Sequence, residues 1–224
     1  MSKGKKATAN VKIEDFIIKN RKIFVCAVAV LVVAAAVVCT VFAISDSNKK
    51  KDLASIDSIE YSYVAKSGGI EEDAISSRQA KAEESLAPYL SKKNVAGVRA
   101  NMLYADIAFG KKDFAKALDC YLKAANASKK AYTYAECMYN AAVCAEELSK
   151  NDDAVAYYKS AADVKDFYLA SHALFNAARV SELSENYSNA AELYQKTVDS
   201  YSGYEWANLS ESRLIDLKAK GKID

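Results

Sequence analysis

"NAAVCAEE" at residues 140–147 and "NAARVSEL" at 176–183 stand 36 positions apart. At that offset "MYNAAVCAEELSKNDDAVAYYKSAA" (138–162) aligns with "LFNAARVSELSENYSNAAELYQKTV" (174–198) without a gap. Such repetition marks a unit that cannot bury its apolar stripe alone and stacks copies of itself until it can. Composition says what the unit is made of. Gly occurs seven times and Pro once, at Pro88, while Ala, Leu, Glu, Lys and Tyr abound. Few breakers and many helix formers predict an all-α chain, and no stretch alternates with period two for long enough to form a strand.

Working outward, three helix pairs fit at about 98–131, 135–168 and 171–204. After them "YSGYEWANLSESRLIDLKAKG" (201–221) reads as a capping helix with Trp206, Leu209, Leu214 and Leu217 on one face. Before them, Leu53, Ile56, Ile59 and Tyr63 share a helical stripe that "SGG" (67–69) closes, and Ile75, Ala82, Leu86 and Tyr89 share the next. That segment reads either as a further degenerate repeat or as a lid. The expected organisation is a basic tail over 1–22, an apolar span over 23–44, a polar linker over 45–52, an N-terminal helical segment over 53–94, repeats over 95–204, and a capping helix and tail over 205–224.

"IFVCAVAVLVVAAAVVCTVFAI" (23–44) holds 22 residues with no charge, Pro or Gly. At about 1.5 Å per residue it matches a hydrocarbon core of about 30 Å. It exceeds the roughly 7–15 apolar residues of a signal peptide, and Val25 and Val38 precede Cys26 and Cys39 where a lipoprotein signal carries a small residue. An uncleaved anchor is expected. Residues 1–22 carry seven Lys/Arg against Glu14 and Asp15, so the tail is expected in the cytoplasm and residues 45–224 across the membrane.

Charge and residue types exclude several functions. Outside the tail stand 24 basic and 27 acidic residues, a faintly acidic body without the clustered basic face that nucleic acid needs. His172 is the sole histidine, so no His-based triad or multi-His metal site exists. No Gly-rich phosphate loop or G-x-S-x-G occurs. Neither enzyme activity nor a cofactor, metal or small-molecule substrate is expected. Cys137 and Cys144, seven apart, share a helical face as small apolar groups, and a disulfide within the set Cys120, Cys137 and Cys144 stays open.

"ANMLYADIAFGKKDFAKALDCYLKAA" (100–125) resembles the tetratricopeptide repeat. Ala105, Ala142 and Ala178 occupy the position where the two helices of a unit touch closest. Phe114 and Tyr187 open the second helix. Ala117, Ala154 and Ala190 supply its small residue, followed four positions on by Tyr121, Tyr158 and Tyr194. Asn151 replaces the opening aromatic in the middle unit, and the usual terminal Pro and first-helix Trp are missing.

The resemblance implies an α-solenoid of about three divergent helix pairs with flanking helices, concave on the side of the first helices. Carried over by position, the groove comprises Arg99, Met102, Asp106 and Phe109, then Glu136, Tyr139, Val143 and Glu146, then His172, Phe175, Arg179 and Glu182. Met102, Tyr139 and Phe175 form an apolar track suited to peptide segments; the competing expectation is that these rings pack against the next helix. Met102 and Asp106 stand where a carboxylate clamp carries Lys and Asn, so no clamp is expected. With "VKIEDFIIKNRKIF" (11–24) and "NVAGVRANMLYADIAFGKKDFAKALDCYLKAA" (94–125), the order of parts resembles the ancillary subunit of the bacterial Sec translocon. That resemblance implies an inner-membrane, single-pass adaptor with a periplasmic domain, whose partners are translocon subunits, exported clients or chaperones. "YSGYEWANLSESRLIDL" also resembles the repeat endings of cell-division coordinators and outer-membrane assembly lipoproteins, the alternative being an envelope scaffold.

Overall fold

The small residues that recur at helical spacing dictate how closely helices approach, and the computed structural model shows what they build. It describes residues 16, 18–65, 71–129 and 131–224. Among these every regular element is helical: α1 (Arg21–Val64), α2 (Glu72–Leu86), a 3-10 turn (Ala87–Tyr89), α3 (Val95–Gly110), α4 (Phe114–Ala127), α5 (Thr133–Glu147), α6 (Asn151–Ala162), α7 (Ala170–Leu183), α8 (Tyr187–Ser200) and α9 (Glu205–Ala219). Most of the basic tail and the "SGG" turn lie outside the described residues.

Residues up to Lys50 and residues from Lys51 onward form two compact units. In the first unit, α1 carries an 18-residue window of mean hydropathy 3.0, none of it buried, long and apolar enough to cross a membrane. Length and composition of this kind also suit a signal sequence. Thr40 returns its hydroxyl to the Ala36 carbonyl at 2.8 Å, so this polar side chain is satisfied within the helix. The polar stretch 45–52, expected as a linker, is helical. It has no Gly or Pro to break it, and Lys50 pairs with Asp46 one turn back at 2.8 Å.

In the second unit, α3/α4, α5/α6 and α7/α8 are antiparallel pairs stacked in order, each packing on the next. Ala105, Ala117, Ala142, Ala154, Ala178 and Ala190 are all fully buried, and Tyr158 and Tyr194 fill the space beside them. Methyl-sized side chains let backbones approach, and the rings restore interior density. Each pair turns through the same motif. Lys112, Ser149 and Glu185 adopt φ of 63°, 57° and 58°. The following amide reaches back five residues to the carbonyl of Ala108, Ala145 or Ser181 at 2.9, 2.8 and 2.9 Å, satisfying a terminal carbonyl. Asp113 and Asn186 then cap the second helices, accepting from Lys116 N and Asn189 N.

The flanks follow the same logic less strictly. In α2, Ala82 and Leu86 are buried four apart, repeating the Ala–Tyr spacing, and with Ile56 they pack on Ala96, Ala100, Leu103 and Ile107 of α3. The end of α1 and α2 thus bury a shared apolar cluster against the first repeat, beside a depression of about 300 Å³ between Ile59, Tyr63 and Lys81. At the other end α9 takes the place of a fourth first helix, packing on α8 and α7. Leu217 is buried and Leu214 packs against the core. Leu209, expected on one face with Trp206, Leu214 and Leu217, is 40% exposed while Leu217 is buried. The outward face carries exposed Asn208, Glu211 and Ser212 together with exposed Ile215. Cys120, Cys137 and Cys144 are free and buried, and burial pushes the Cys137 and Cys144 thiols up to about 12.

Two substitutions test this account with opposite signs. A Cβ on Gly97 would lie 1.8 Å from the Lys92 carbonyl oxygen, so Gly97→Ala is expected to lower stability by about 1–3 kcal/mol, as overpacking does. Ser149→Gly removes left-handed strain at an exposed turn and is expected to raise stability by up to about 1 kcal/mol. Urea unfolding midpoints with unchanged slope read both.

Candidate groove on the first helices

The twelve residues expected in the groove lie on α3, α5 and α7, and most are bonded to one another or to neighbouring helices. The recurring element is a carboxylate held from two sides. Glu146 accepts from Tyr158 Oη of its own repeat at 3.2 Å and from Arg179 of the next at 2.7 Å. Glu182 accepts from Tyr194 Oη at 2.9 Å and from Arg213 Nε at 3.2 Å. Burial and the adjacent carboxylate drive both tyrosine pKa values far above the phenol range, so the hydroxyls remain donors. Each rung ties second helix to first helix and one repeat to the next with charge-assisted bonds.

The first repeat departs from this pattern. Phe109 stands where Glu146 and Glu182 stand, and it packs edge-on against Phe114 at 5.2 Å, in its own repeat's core. Val143 replaces the arginine. Tyr121 therefore turns to Asp106, one turn earlier. Asp106 keeps solvent access but lies in a concavity, and desolvation raises its pKa, with the Tyr121 bond opposing and Glu60 adding to the rise. Desolvation and Asp106 likewise raise Glu136. Arg99 is drawn away from the track to Asp57 and to Glu60 at 2.9 Å.

Further along, rings bridge three elements. Tyr139 packs edge-on against Tyr158 at 5.4 Å and beside His172 at 5.7 Å. His172 stacks on Trp206 at 3.8 Å and 13°. Phe175 touches Tyr194 at 5.6 Å and Trp206 at 5.2 Å. The structure thus brings Tyr139, Glu146, His172, Phe175, Arg179 and Glu182 into one bonded strip. Met102 and Val143 pack beside the same core. Phe175, Arg179, Glu182, Leu183, Tyr194 and Arg213 line an open depression of about 420 Å³, with Leu183 65% exposed at its edge. Sequence reasoning missed Arg213 and Trp206 as groove residues. Their signal was present, since each follows its counterpart, Arg179 or His172, by 34 positions, but the shorter spacing hid it.

Because Asp106 and Glu136 have raised folded-state pKa values, protonation favours the folded chain. Their destabilising charge is present above those values and is relieved as pH falls toward the ordinary carboxylate range. Glu136→Gln is expected to raise the melting temperature at pH 7 and to lose that advantage below about pH 4.3, where an ordinary Glu is itself protonated; melting curves across pH decide it.

Comparison with known proteins agrees with this geometry. The tetratricopeptide-repeat family model matches residues 139–205, from within α5 to the start of α9. A protein of Treponema pallidum (strain Nichols) named "TPR repeat-containing protein" is 32% identical over 150 residues, 67% of this chain. The match covers 61% of that relative's length. Its 150 residues exceed the 110 of the stretch 95–204, so the likeness reaches into the flanking segments. The chain carries tetratricopeptide repeats, an architecture of protein–protein interaction.

Proposed function

We propose that the protein is a membrane-anchored, non-catalytic adaptor whose repeat groove holds a polypeptide partner beside the membrane. The observation that supports this most is the open depression at α7–α9. There Leu183 stays exposed beside partly open Phe175, while the flanking charges are already satisfied internally. A surface of rings and aliphatic groups with prepaired charges suits an apolar segment and places no demand on a particular ligand charge. The anchor is residues 23–44, in a bacterial inner membrane with the tail cytoplasmic and the repeats periplasmic. The order of tail, span and divergent repeats supports a role in protein export, receiving clients or chaperones at the translocon.

The internal bonding of the strip favours a second reading. Glu146, Arg179, Glu182 and Arg213 form fixed rungs, and a rigid face of this kind serves equally as a scaffold docking one folded envelope protein.

Photo-crosslinking in intact cells from positions 175 and 183, with exposed Lys150 as control, tests both. Nascent exported chains, translocon subunits or chaperones crosslinked from the groove positions are expected for the adaptor. One stoichiometric folded partner would mark the scaffold. Equal products from all three positions would refute a groove function.

A further inference from the structure

The antiparallel stack has two edges, and their turns differ in chemistry. The turns within repeats, residues 111–113 (KKD), 149–151 (SKN) and 184–186 (SEN), are polar. The turns between repeats carry a ring. Tyr132, Tyr168 and Tyr204 follow one another at intervals of 36 just before α5, α7 and α9, and Val95 opens α3. The tyrosines are 83%, 78% and 62% exposed and Val95 51%. Among the described residues, four of the seven large apolar side chains exposed beyond residue 90 therefore stand where first helices begin. First helices run the same way through the stack, so the four share one edge.

Local structure does not require these rings. Tyr132 and Tyr204 hold N-cap positions without making a side-chain cap bond, where Ser, Thr, Asp or Asn would satisfy an orphan amide. Exposed lysines recur in the same turns at the same interval, Lys93, Lys129 and Lys165, partly offset by exposed Asp166 and Glu205. The chain also enters the second unit on this edge. Asp52 bonds Lys92 just ahead of α3, while Asp57 and Glu60 bond Arg99 further along it, so residues 52–60 run parallel to α3. Ile44, where the apolar span ends, lies eight residues before Asp52. At about 3.5 Å per residue that keeps Asp52 within about 28 Å of the span's end by any path.

We propose that this edge is a lipid-facing surface, with Val95, Tyr132, Tyr168 and Tyr204 at the headgroup level of the bilayer and Lys93, Lys129 and Lys165 toward lipid phosphates. The inference rests on the reading of residues 23–44 as a membrane anchor. Tyrosine suits the headgroup layer, where its ring meets apolar chains and its hydroxyl stays wet. One ring per repeat makes a row and not the continuous apolar patch of a protein interface, and a bilayer needs no such patch. The short tether holds the edge at high effective concentration beside the lipid, so a few shallow contacts suffice. The mixed charge leaves the rings as the main contact, with anionic lipid adding through the lysines. The stack axis then lies along the bilayer, and each repeat of the groove is held at one height above it.

The test uses full-length protein in nanodiscs of phosphatidylcholine, alone or with phosphatidylglycerol. A fluorescent amino acid replaces exposed Ala131 or Ser202 on this edge, exposed Lys150 on the other, or Val33 in the span. Lipids spin-labelled at the headgroup quench the first three positions, and lipids labelled in the acyl chain quench the last. Quenching at 131 and 202 is expected to exceed that at 150 in both lipids and to rise with phosphatidylglycerol. Tyr132→Ser, Tyr168→Ser and Tyr204→Ser combined are expected to reduce it to the level of position 150 while position 33 stays quenched. Edge quenching no greater than at 150, with position 33 quenched, would overturn the lipid surface and leave the anchor standing. An unquenched position 33 would remove the anchor and this inference with it. Quenching that survives the tyrosine changes but is lost on combined Lys93→Gln, Lys129→Gln and Lys165→Gln would overturn the part given to the rings.

Discussion

Everything in the second unit depends on how closely the two helices of a pair can approach, and alanine sets that distance. Ala105, Ala142 and Ala178 on the first helices, with Ala117, Ala154 and Ala190 on the second, are fully buried. Close approach brings the tyrosine four residues after each second-helix alanine under the first helix, where its ring completes the core. In the second and third repeats the same ring carries its hydroxyl to the carboxylate that binds the next repeat's arginine. The rungs on the groove are therefore a consequence of the alanines, and a larger side chain at any of the six positions would displace both the packing and the polar bonds above it.

The relation between groove and core is tighter than in a binding surface laid over an indifferent scaffold. Glu146 and Glu182 are bound from behind by buried tyrosines and from the side by arginines, so the inner face has little rotamer freedom to lose when something docks on it. The first repeat lacks this arrangement. With Phe109 and Val143 in place of the acid and the arginine, its carboxylate Asp106 repels Glu136 of the second repeat, and the electrostatic character of the groove changes along its length.

Much of the fold was legible because it rests on periodicity. The alignment of 138–162 with 174–198 placed α5 to α8 and their contact alanines, and the stripe of Ala82 and Leu86 marked the face of α2 that is buried. Less of the site was legible, for two physical reasons. Equivalent positions carry different residues, so Phe109 entered the groove list by register although its ring turns into the first repeat's core. Arg99, likewise placed by register, is claimed by Asp57 and Glu60, acids about 40 residues away in sequence. The polar stretch 45–52 read as a tether by composition, yet local hydrogen bonding needs only the absence of breakers to continue a helix. Leu209 shares a predicted face with Leu217 yet differs from it in burial, because a lone amphipathic helix does not reveal which part of its apolar face meets the stack.

The two complete rungs also carry a direction. The acid always belongs to the earlier unit and the arginine to the later one, as in Glu146 with Arg179 and Glu182 with Arg213. A copy of the stretch from α5 to α6 or from α7 to α8 inserted beside its parent would differ in what it carries forward: a duplicated third repeat presents its own arginine to the preceding Glu182 and its own glutamate to Arg213, closing every bond. A duplicated second repeat presents Val143 to Glu146 and leaves that acid unanswered. The C-terminal half of the solenoid is thus self-complementary and able to lengthen by gene duplication, whereas the N-terminal half fixes where the array begins.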